Sequence, residues 1–151
     1  MKKGFTLIEV MVVIVILGVL ATVGMPKLFG MIAKAKASEV PVAAGAYTKL
    51  QDAFIAEKTA LGTWNNIGYI APNGGKTNNF CYSQGNITDT VSTENIGTGI
   101  IGWGATNVVS LNDCGATSWW SIFITADGSN SVNYAKNLSY EPCVALTKDW
   151  T

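Results

Sequence analysis

Glu9 is the single charged side chain in the mostly apolar run that covers positions 5–25. Placing a carboxylate at membrane depth costs at least about 2.5 to 3.5 kcal/mol, so such a residue is a functional candidate that needs a partner. The run itself contains no Lys or Arg. A cation arises at this depth only if the chain is cut after Gly4, which leaves a new α-amino group on Phe5. The sequence therefore predicts an acid–amine pair formed by Glu9 and a processed Phe5.

Phe5 and Glu9 are four residues apart, a spacing that places both on one face of a helix. Within a single helix, however, the new amine and the carboxylate are separated by a full turn. A neighbouring copy that is shifted along the helix axis brings the two groups together. The spacing therefore indicates a subunit that assembles with other copies of itself.

Other chemistry is restricted by composition. The ten basic residues are all lysine, ten acids balance them, and the chain of 151 residues contains neither Arg nor His. This charge balance gives no electrostatic footprint for nucleic acid. Histidine bases and histidine metal ligands are excluded, and neither a Ser-x-x-Lys nor a Gly-x-Ser-x-Gly sequence is present to supply an activated nucleophile. We predict no catalytic residue, no cofactor and no metal site.

The apolar run is close to the length of about 20 residues that spans a bilayer core. Lys2 and Lys3 precede it, which by the positive-inside rule predicts a cytoplasmic N-terminus and an extracytoplasmic remainder. All three cysteines, Cys81, Cys114 and Cys143, fall in that remainder, where a disulfide is expected. Three pairings are possible, spacing does not choose among them, and one thiol is left over. The absence of a Cys-x-x-Cys pair argues against a cysteine metal site.

The segment GFTLIEVMVVIVILGVLATVGMP, residues 4–26, resembles the class III leader and N-terminal helix of type IV pilins and of their relatives, the type II secretion pseudopilins. The resemblance is close over residues 1–30 and looser over residues 31–60. It implies cleavage between Gly4 and Phe5 by a prepilin peptidase, N-methylation of Phe5 by the same peptidase/methyltransferase, and polymerisation through the apolar helix. It also implies that Glu9 registers the subunits by pairing with a neighbour's amine.

The resemblance implies further roles along the helix and in the head. The segment from Gly18 to Pro26 can lose helical order in pilin filaments, which assigns both residues to assembly. A disulfide that closes a C-terminal loop is common in type IV pilins, and Cys114 with Cys143 looks like that arrangement, while the two pairings with Cys81 stay open. The expected location is the inner membrane for the precursor, with the head in the periplasm, and the extracellular pilus after assembly. The expected partners are other pilin subunits, the peptidase and the inner-membrane assembly machinery.

The residues themselves divide the chain into a leader at 1–4, a hydrophobic helix at 5–26, an amphipathic helical half at 27–60 and a head at 61–151. Pro26 and Pro41 are each expected to remove a hydrogen bond from this helix and to bend it. The amphipathic half has apolar residues spaced mostly by three and four at Leu28, Ile32, Ala35, Ala43, Tyr47, Leu50 and Phe54.

The head is rich in turn residues and short apolar stretches, which predicts strands at 79–83, 100–110, 118–125 and 144–148, with a further piece at 131–136. A helix followed by an antiparallel sheet gives an α+β, pilin-like fold. Tyr47, Leu50 and Phe54 are expected to contact the sheet. The expected sheet side of that contact consists of Trp103, Trp119, Phe123 and Ile124.

These observations predict the structural subunit of a type IV pilus that supports adhesion or motility. One alternative is a pseudopilin, since those proteins share the N-terminal segment. Major pseudopilins, however, usually have a Tyr-Pro stretch after the helix and a calcium loop, and lack a disulfide; neither the stretch nor the loop is evident here. A second alternative is a membrane-tethered carbohydrate-binding module that uses Trp103, Trp119 or Trp120. The side chains of Trp119 and Trp120 are expected on opposite faces of a strand, one buried and one exposed.

Overall fold

The computed structural model describes residues 4–128 and 130–150, and the side chain of Asp149 is not described. Residues 1–3 of the predicted leader, Ser129 and Thr151 lie outside the described residues. The chain begins with a nearly continuous helical rod, which consists of helix α1, Leu7–Ala37, and helix α2, Glu39–Lys58. A small head follows the rod. This arrangement is the predicted α+β layout.

The two helices meet at Ser38, whose N–H donates to the carbonyl oxygen of Lys34 at 3.0 Å. Pro41 lies in the first turn of α2, where it has no N–H to donate to the carbonyl of Ala37 and where its ring crowds that carbonyl. This accounts for an interruption three residues before Pro41. The helix is not interrupted at Pro26, which lies inside α1.

The head contains a four-stranded antiparallel sheet with the strand order β2-β4-β5-β6. The strands are β2, Phe80–Ser83; β4, Ile100–Asn107; β5, Trp119–Ala126; and β6, Val132–Leu138. A separate pair consists of β1, Ala60–Leu61, and β3, Val91–Ser92. The two outer strands of the larger sheet are thus β2 and β6. The indole N–H of Trp150 donates to the carbonyl oxygen of Asn137 in β6 at 2.9 Å.

The strands predicted at 79–83, 100–110, 118–125 and 131–136 are confirmed with small changes at their ends. The prediction of a strand at 144–148 is wrong. Short 3-10 helices, Glu141–Cys143 and Lys148–Trp150, flank a turn there. Pro142 is the second residue of the first of them, and the N–H of Val144 donates to the carbonyl oxygen of Glu141 at 3.0 Å. A proline followed by local hydrogen bonds favours a turn over a strand at this position.

The core lies between α2 and one face of the sheet, but the faces differ in part from the prediction. Tyr47 is fully buried as expected, whereas Leu50 is 38% exposed and Phe54 only partly buried. The buried helix positions are Ala33, Ala37, Val40, Ala43, Ala44, Tyr47, Gln51 and Ile55. Leu28, Ile32 and Ala35 are exposed. The apolar pattern therefore gave the correct period, and its Ala43 and Tyr47 are buried, but four of its seven residues are exposed.

The sheet side shows the same one-residue shift on β5. Trp120, Ile122 and Ile124 are buried in the core, while Trp119 is 43% exposed. Phe123 is half-buried on the same face of the sheet as Trp119, because side chains alternate along a strand. The prediction of one buried and one exposed tryptophan is confirmed. The choice of Trp119 and Phe123 for the helix contact is wrong, whereas Trp103 and Ile124 are fully buried in the core, as the prediction requires.

Candidate assembly site

The N-terminal site begins with three residues, Gly4 to Thr6, that precede the first turn of α1. Thr6 is the N-cap and Glu9 is the third residue of the helix, and together they form a capping box. The Glu9 N–H donates to Oγ1 of Thr6 at 3.4 Å. In return, Oε2 of Glu9 accepts from the Thr6 N–H at 2.8 Å and from the Thr6 hydroxyl at 2.7 Å. These bonds satisfy backbone donors that the start of a helix leaves unpaired.

Glu9 therefore has a partner in its own chain, Thr6, in addition to the cation that the sequence predicts for it. The signal was present in the sequence as Thr6-Leu7-Ile8-Glu9, the spacing of a capping box. Both bonds from Thr6 end on the same carboxylate oxygen. An ionised carboxylate accepts about four hydrogen bonds. The capping box thus fixes the orientation of the Glu9 side chain and leaves acceptor capacity for a further donor.

Phe5 and Gly4 lie just outside the capped turn. The Phe5 side chain is 84% exposed, and a Cβ placed on Gly4 meets no atom within 4 Å. Gly18 is equally open within α1. The structure thus brings Glu9 close to Thr6 and places the peptide between Gly4 and Phe5 on an open surface. It places Gly18 and Pro26 further along the same helix, away from the capped turn.

Almost all of α1 is uncovered by the rest of the chain. Its buried residues, Ala33 and Ala37, fall in its last two turns. The large apolar side chains before them are exposed, and they include Leu7, Ile8, Met11, Ile14, Leu17, Leu20, Val23 and Phe29. By length and composition, this is a helix that could cross a membrane. Exposed apolar surface of this extent marks a protein–protein or membrane contact.

The head is fixed to α2 by two tyrosine–carboxylate hydrogen bonds. The hydroxyl of Tyr82, on β2, donates to Oε1 of Glu39 at 2.7 Å, and that of Tyr134, on β6, donates to Oδ1 of Asp52 at 2.6 Å. Burial, the hydrogen bond to the carboxylate and its negative charge all raise the pKa of each tyrosine above its ordinary value. Burial also raises the pKa of Tyr47, with a smaller contribution from Tyr69. Tyr82 and Tyr134 therefore stay neutral as hydrogen-bond donors well into the alkaline range.

A disulfide joins Cys114 to Cys143, with 4.8 Å between their Cα atoms, and both cysteines are fully buried. Cys81 is a free, exposed thiol on β2. The pairing is the one that the pilin resemblance implied, and the two alternatives with Cys81 are not the ones formed. The covalent loop encloses all of β5 and β6. Across residues 4–128 and 130–150, no three His, Cys, Asp or Glu side chains cluster in a way that could hold a metal ion.

Comparisons with known proteins bear on the N-terminal helix. Residues 1–25 match the model of the prokaryotic N-terminal methylation motif. The N-terminal segment carries this methylation motif. A second comparison agrees, because 76 residues are 35% identical to the type IV major pilin protein PilA of Myxococcus xanthus (strain DK1622). That pilin match covers 50% of this chain and 34% of the relative, so the chain spans about a third of the length of the curated pilin that it matches. No solved structure matches the chain.

Proposed function

We propose that the protein is the structural subunit of a type IV pilus filament, made as a membrane-anchored precursor and polymerised through α1. The observation that supports this most directly is the uncovered apolar surface of α1. A membrane covers this surface in the precursor, and the α1 helices of neighbouring subunits cover it in the filament. The proposed location is therefore the inner membrane before assembly and the cell exterior afterwards. The proposed function of the fibre is adhesion or motility.

Processing is proposed to occur between Gly4 and Phe5, followed by N-methylation of Phe5. The open surroundings of Gly4 support access by a peptidase. A larger residue at position 4 changes the residue next to the cut bond without disturbing the folded chain, because nothing packs there. The peptidase/methyltransferase and the inner-membrane assembly machinery are the proposed transient partners.

Glu9 is proposed to register subunits during assembly. The capping box holds its carboxylate at the start of α1, and the remaining lone pairs accept a hydrogen bond from the Phe5 ammonium group of an adjacent subunit. Such a charge-assisted bond is stronger than a neutral one, and a low-dielectric surrounding increases its strength further. The acid that is costly in a lone membrane helix thereby becomes favourable between processed copies.

A pseudopilin of a type II secretion system is the alternative within the same superfamily. The disulfide between Cys114 and Cys143 favours the pilin, because the resemblance associates such a loop with pilins. The sequence of the head also predicts none of the calcium loops that the resemblance associates with major pseudopilins. A membrane-tethered carbohydrate module is less favoured, since two of its three proposed tryptophans, Trp103 and Trp120, are fully buried.

The test is to shear surface material from producing cells, image it by electron microscopy and measure the intact mass of its subunit. The expected result is thin fibres whose subunit begins at N-methylated Phe5. Glu9→Gln should leave insertion intact and reduce fibre yield at least about tenfold, since about 1.4 kcal/mol per contact already gives that factor. Thr22→Ala is the matched control, because Thr22 is an exposed polar residue of α1 that bonds only the local Val19 carbonyl oxygen.

Gly4→Ala should leave the precursor uncut, which the same mass measurement detects. Normal fibre yield from Glu9→Gln would contradict the registering role. Fibres built from uncut chains would contradict the processing step. A chain that stays monomeric with its leader attached would contradict the proposed function as a whole.

A further inference from the structure

The exposed apolar surface of α1 is longer than a bilayer core. Apart from Glu9 and Lys27, the side chains at residues 7–32 are uncharged, and this part of the helix is about 39 Å long at 1.5 Å per residue. A bilayer core is about 30 Å thick. A helix with such an excess tilts, or leaves its last turns in the headgroup region. The turns concerned hold Leu28, Phe29, Met31 and Ile32, all of them exposed.

Three lysines lie in and just after the same turns. Lys27, Lys34 and Lys36 are exposed, no acid lies among residues 27–38, and none of the three forms an ion pair within the described part of the chain. We call this basic and apolar segment, residues 27–36, the collar. Its lysines are on the side of the apolar run opposite to Lys2 and Lys3, where the positive-inside rule does not favour them. Their presence there needs a physical reason other than orientation.

The head continues the apolar surface beside the collar. An open groove of about 700 Å³ runs along the helical rod, and its lining includes Ile32, Lys36 and Ile70. Ile70 is 84% exposed, the most exposed large apolar side chain of the head in the described chain. The groove therefore connects the collar to an apolar edge of the head, and it lies on the same side of the helical rod as Lys36.

We propose that in the precursor the collar lies in the headgroup region of an anionic bilayer. The inference rests on the proposed function, because it concerns the membrane-held state that precedes assembly. Leu28, Phe29, Met31 and Ile32 contact the acyl boundary, and the lysines contact lipid phosphates. Each lysine near a negatively charged surface adds to the attraction, and long lysine side chains reach the headgroups while their stems cover apolar surface. The rod then tilts, and the Ile70 side of the head rests on the membrane.

This arrangement defines a surface that assembly must release. In a chain held upright, Met31 lies about 9 Å beyond the apolar run, at 1.5 Å per residue, and is surrounded by water. In the tilted chain, Met31 lies in the interface. The position of this one side chain relative to lipid therefore separates the two arrangements.

The test uses the full-length precursor in vesicles. An environment-sensitive fluorophore is attached at Met31→Cys in a Cys81→Ser background, because Cys81 is the exposed free thiol. Quenching by a nitroxide placed high on the acyl chain is compared in phosphatidylcholine vesicles and in vesicles that contain about one third phosphatidylglycerol. We expect roughly twofold stronger quenching in the anionic vesicles, and loss of the difference in high salt, because the attraction is electrostatic.

The charge dependence is tested with a triple Lys27→Gln, Lys34→Gln, Lys36→Gln variant, which should abolish the difference between the two vesicles. Lys49→Gln is the matched control, an exposed lysine of α2 about 20 Å further along the rod, at 1.5 Å per residue. It should leave the difference unchanged. Equal quenching in both vesicles, or an unchanged difference in the triple variant, would overturn the proposal.

The fluorophore at Met31→Cys could instead become shielded from water as the protein-to-lipid ratio increases, independently of phosphatidylglycerol. This result would also overturn the proposal, and it would assign the collar to contact with a second copy of the chain. The vesicles contain no peptidase and no assembly machinery, so this result does not depend on fibre formation. Failure of the lipid effect in a protein that still makes fibres removes the collar proposal alone. Failure of fibre formation with the lipid effect intact removes the proposed function alone.

Discussion

The disulfide between Cys114 and Cys143 is predicted to provide a large share of the stability of the head. For a sequence separation of 29 residues, the chain-entropy model gives about 3.6 kcal/mol of stabilisation at 25 °C. A typical domain has only about 5 to 15 kcal/mol of net stability. The loop encloses β5 and β6, which are two of the four strands of the main sheet. Removing the disulfide therefore gives the residues of both strands more conformational freedom in the unfolded chain.

The perturbation is the double substitution Cys114→Ala with Cys143→Ala, measured by urea unfolding of the full chain in detergent micelles. Tryptophan fluorescence is a suitable readout, because Trp103, Trp120 and Trp150 are all buried in the head. In this assay the free energy of unfolding of the head is expected to fall by about 3.6 kcal/mol relative to that of the oxidised wild-type chain. Cys81→Ala is the control and should change the free energy of unfolding by less than about 0.5 kcal/mol, as an exposed substitution does.

A second measurement separates the crosslink from the packing of the two side chains. The wild-type chain, reduced while unfolded and then refolded in reductant, keeps both cysteine side chains and lacks only the bond. If the constraint on the unfolded state dominates, its stability should agree with that of the double alanine variant within about 1 kcal/mol. A reduced chain that is as stable as the oxidised chain would refute the reasoning and assign the loss in the alanine variant to cavities.

The remaining predictions concern the two tyrosines that hold α2 on the sheet. Tyr82→Phe should destabilise the head by about 1 to 3 kcal/mol, and Tyr134→Phe, at a more exposed position, by about 1 kcal/mol. Tyr140→Phe is the exposed control, and urea unfolding measures all three variants. Equal effects in all three would contradict the role of the two hydrogen bonds. Because folding raises the pKa of Tyr82 and Tyr134, stability should be constant with respect to these groups below about pH 10, where unfolded tyrosine titrates, and should fall as pH rises above that value. Unfolding measured between about pH 8 and 12 should show a shallower fall in the double phenylalanine variant, and an identical pH profile would exclude these tyrosines as the cause.

The sequence was most informative where a local rule leaves few alternatives. The uncharged run around Glu9 predicted a long exposed helix, and Pro41 predicted a disturbance of that helix, which the structure places at Ser38. Turn residues and short apolar stretches predicted four of the strands. The spacing of Thr6 and Glu9 also predicts a capping box, in which Thr6 is a nearer partner of Glu9 than any cation.

Other features depend on contacts that local patterns do not determine. Trp119 and Trp120 are equally suited to a core, and only the register of β5 on the sheet decides which of them faces α2. The same holds for Leu50 and Gln51, where the polar residue is the buried one. Once its amide is oriented to suit its surroundings, Gln51 bonds both the N–H and the carbonyl oxygen of Gly62. The two-residue strands β1 and β3 are too short to produce a periodic signal, and the disulfide pairing needed the family resemblance.

The two outer strands of the main sheet affect how heads could pack in the proposed fibre. Unpaired strand edges are sites at which sheets of separate molecules join and aggregate. Here β2 is four residues long, and β6 carries Lys136 and gives one of its carbonyl groups, that of Asn137, to Trp150. In the proposed fibre, where heads lie side by side at high local concentration, these edges favour heads that remain separate folded units. The helical rods are then the part of the molecule through which copies join in the proposed fibre.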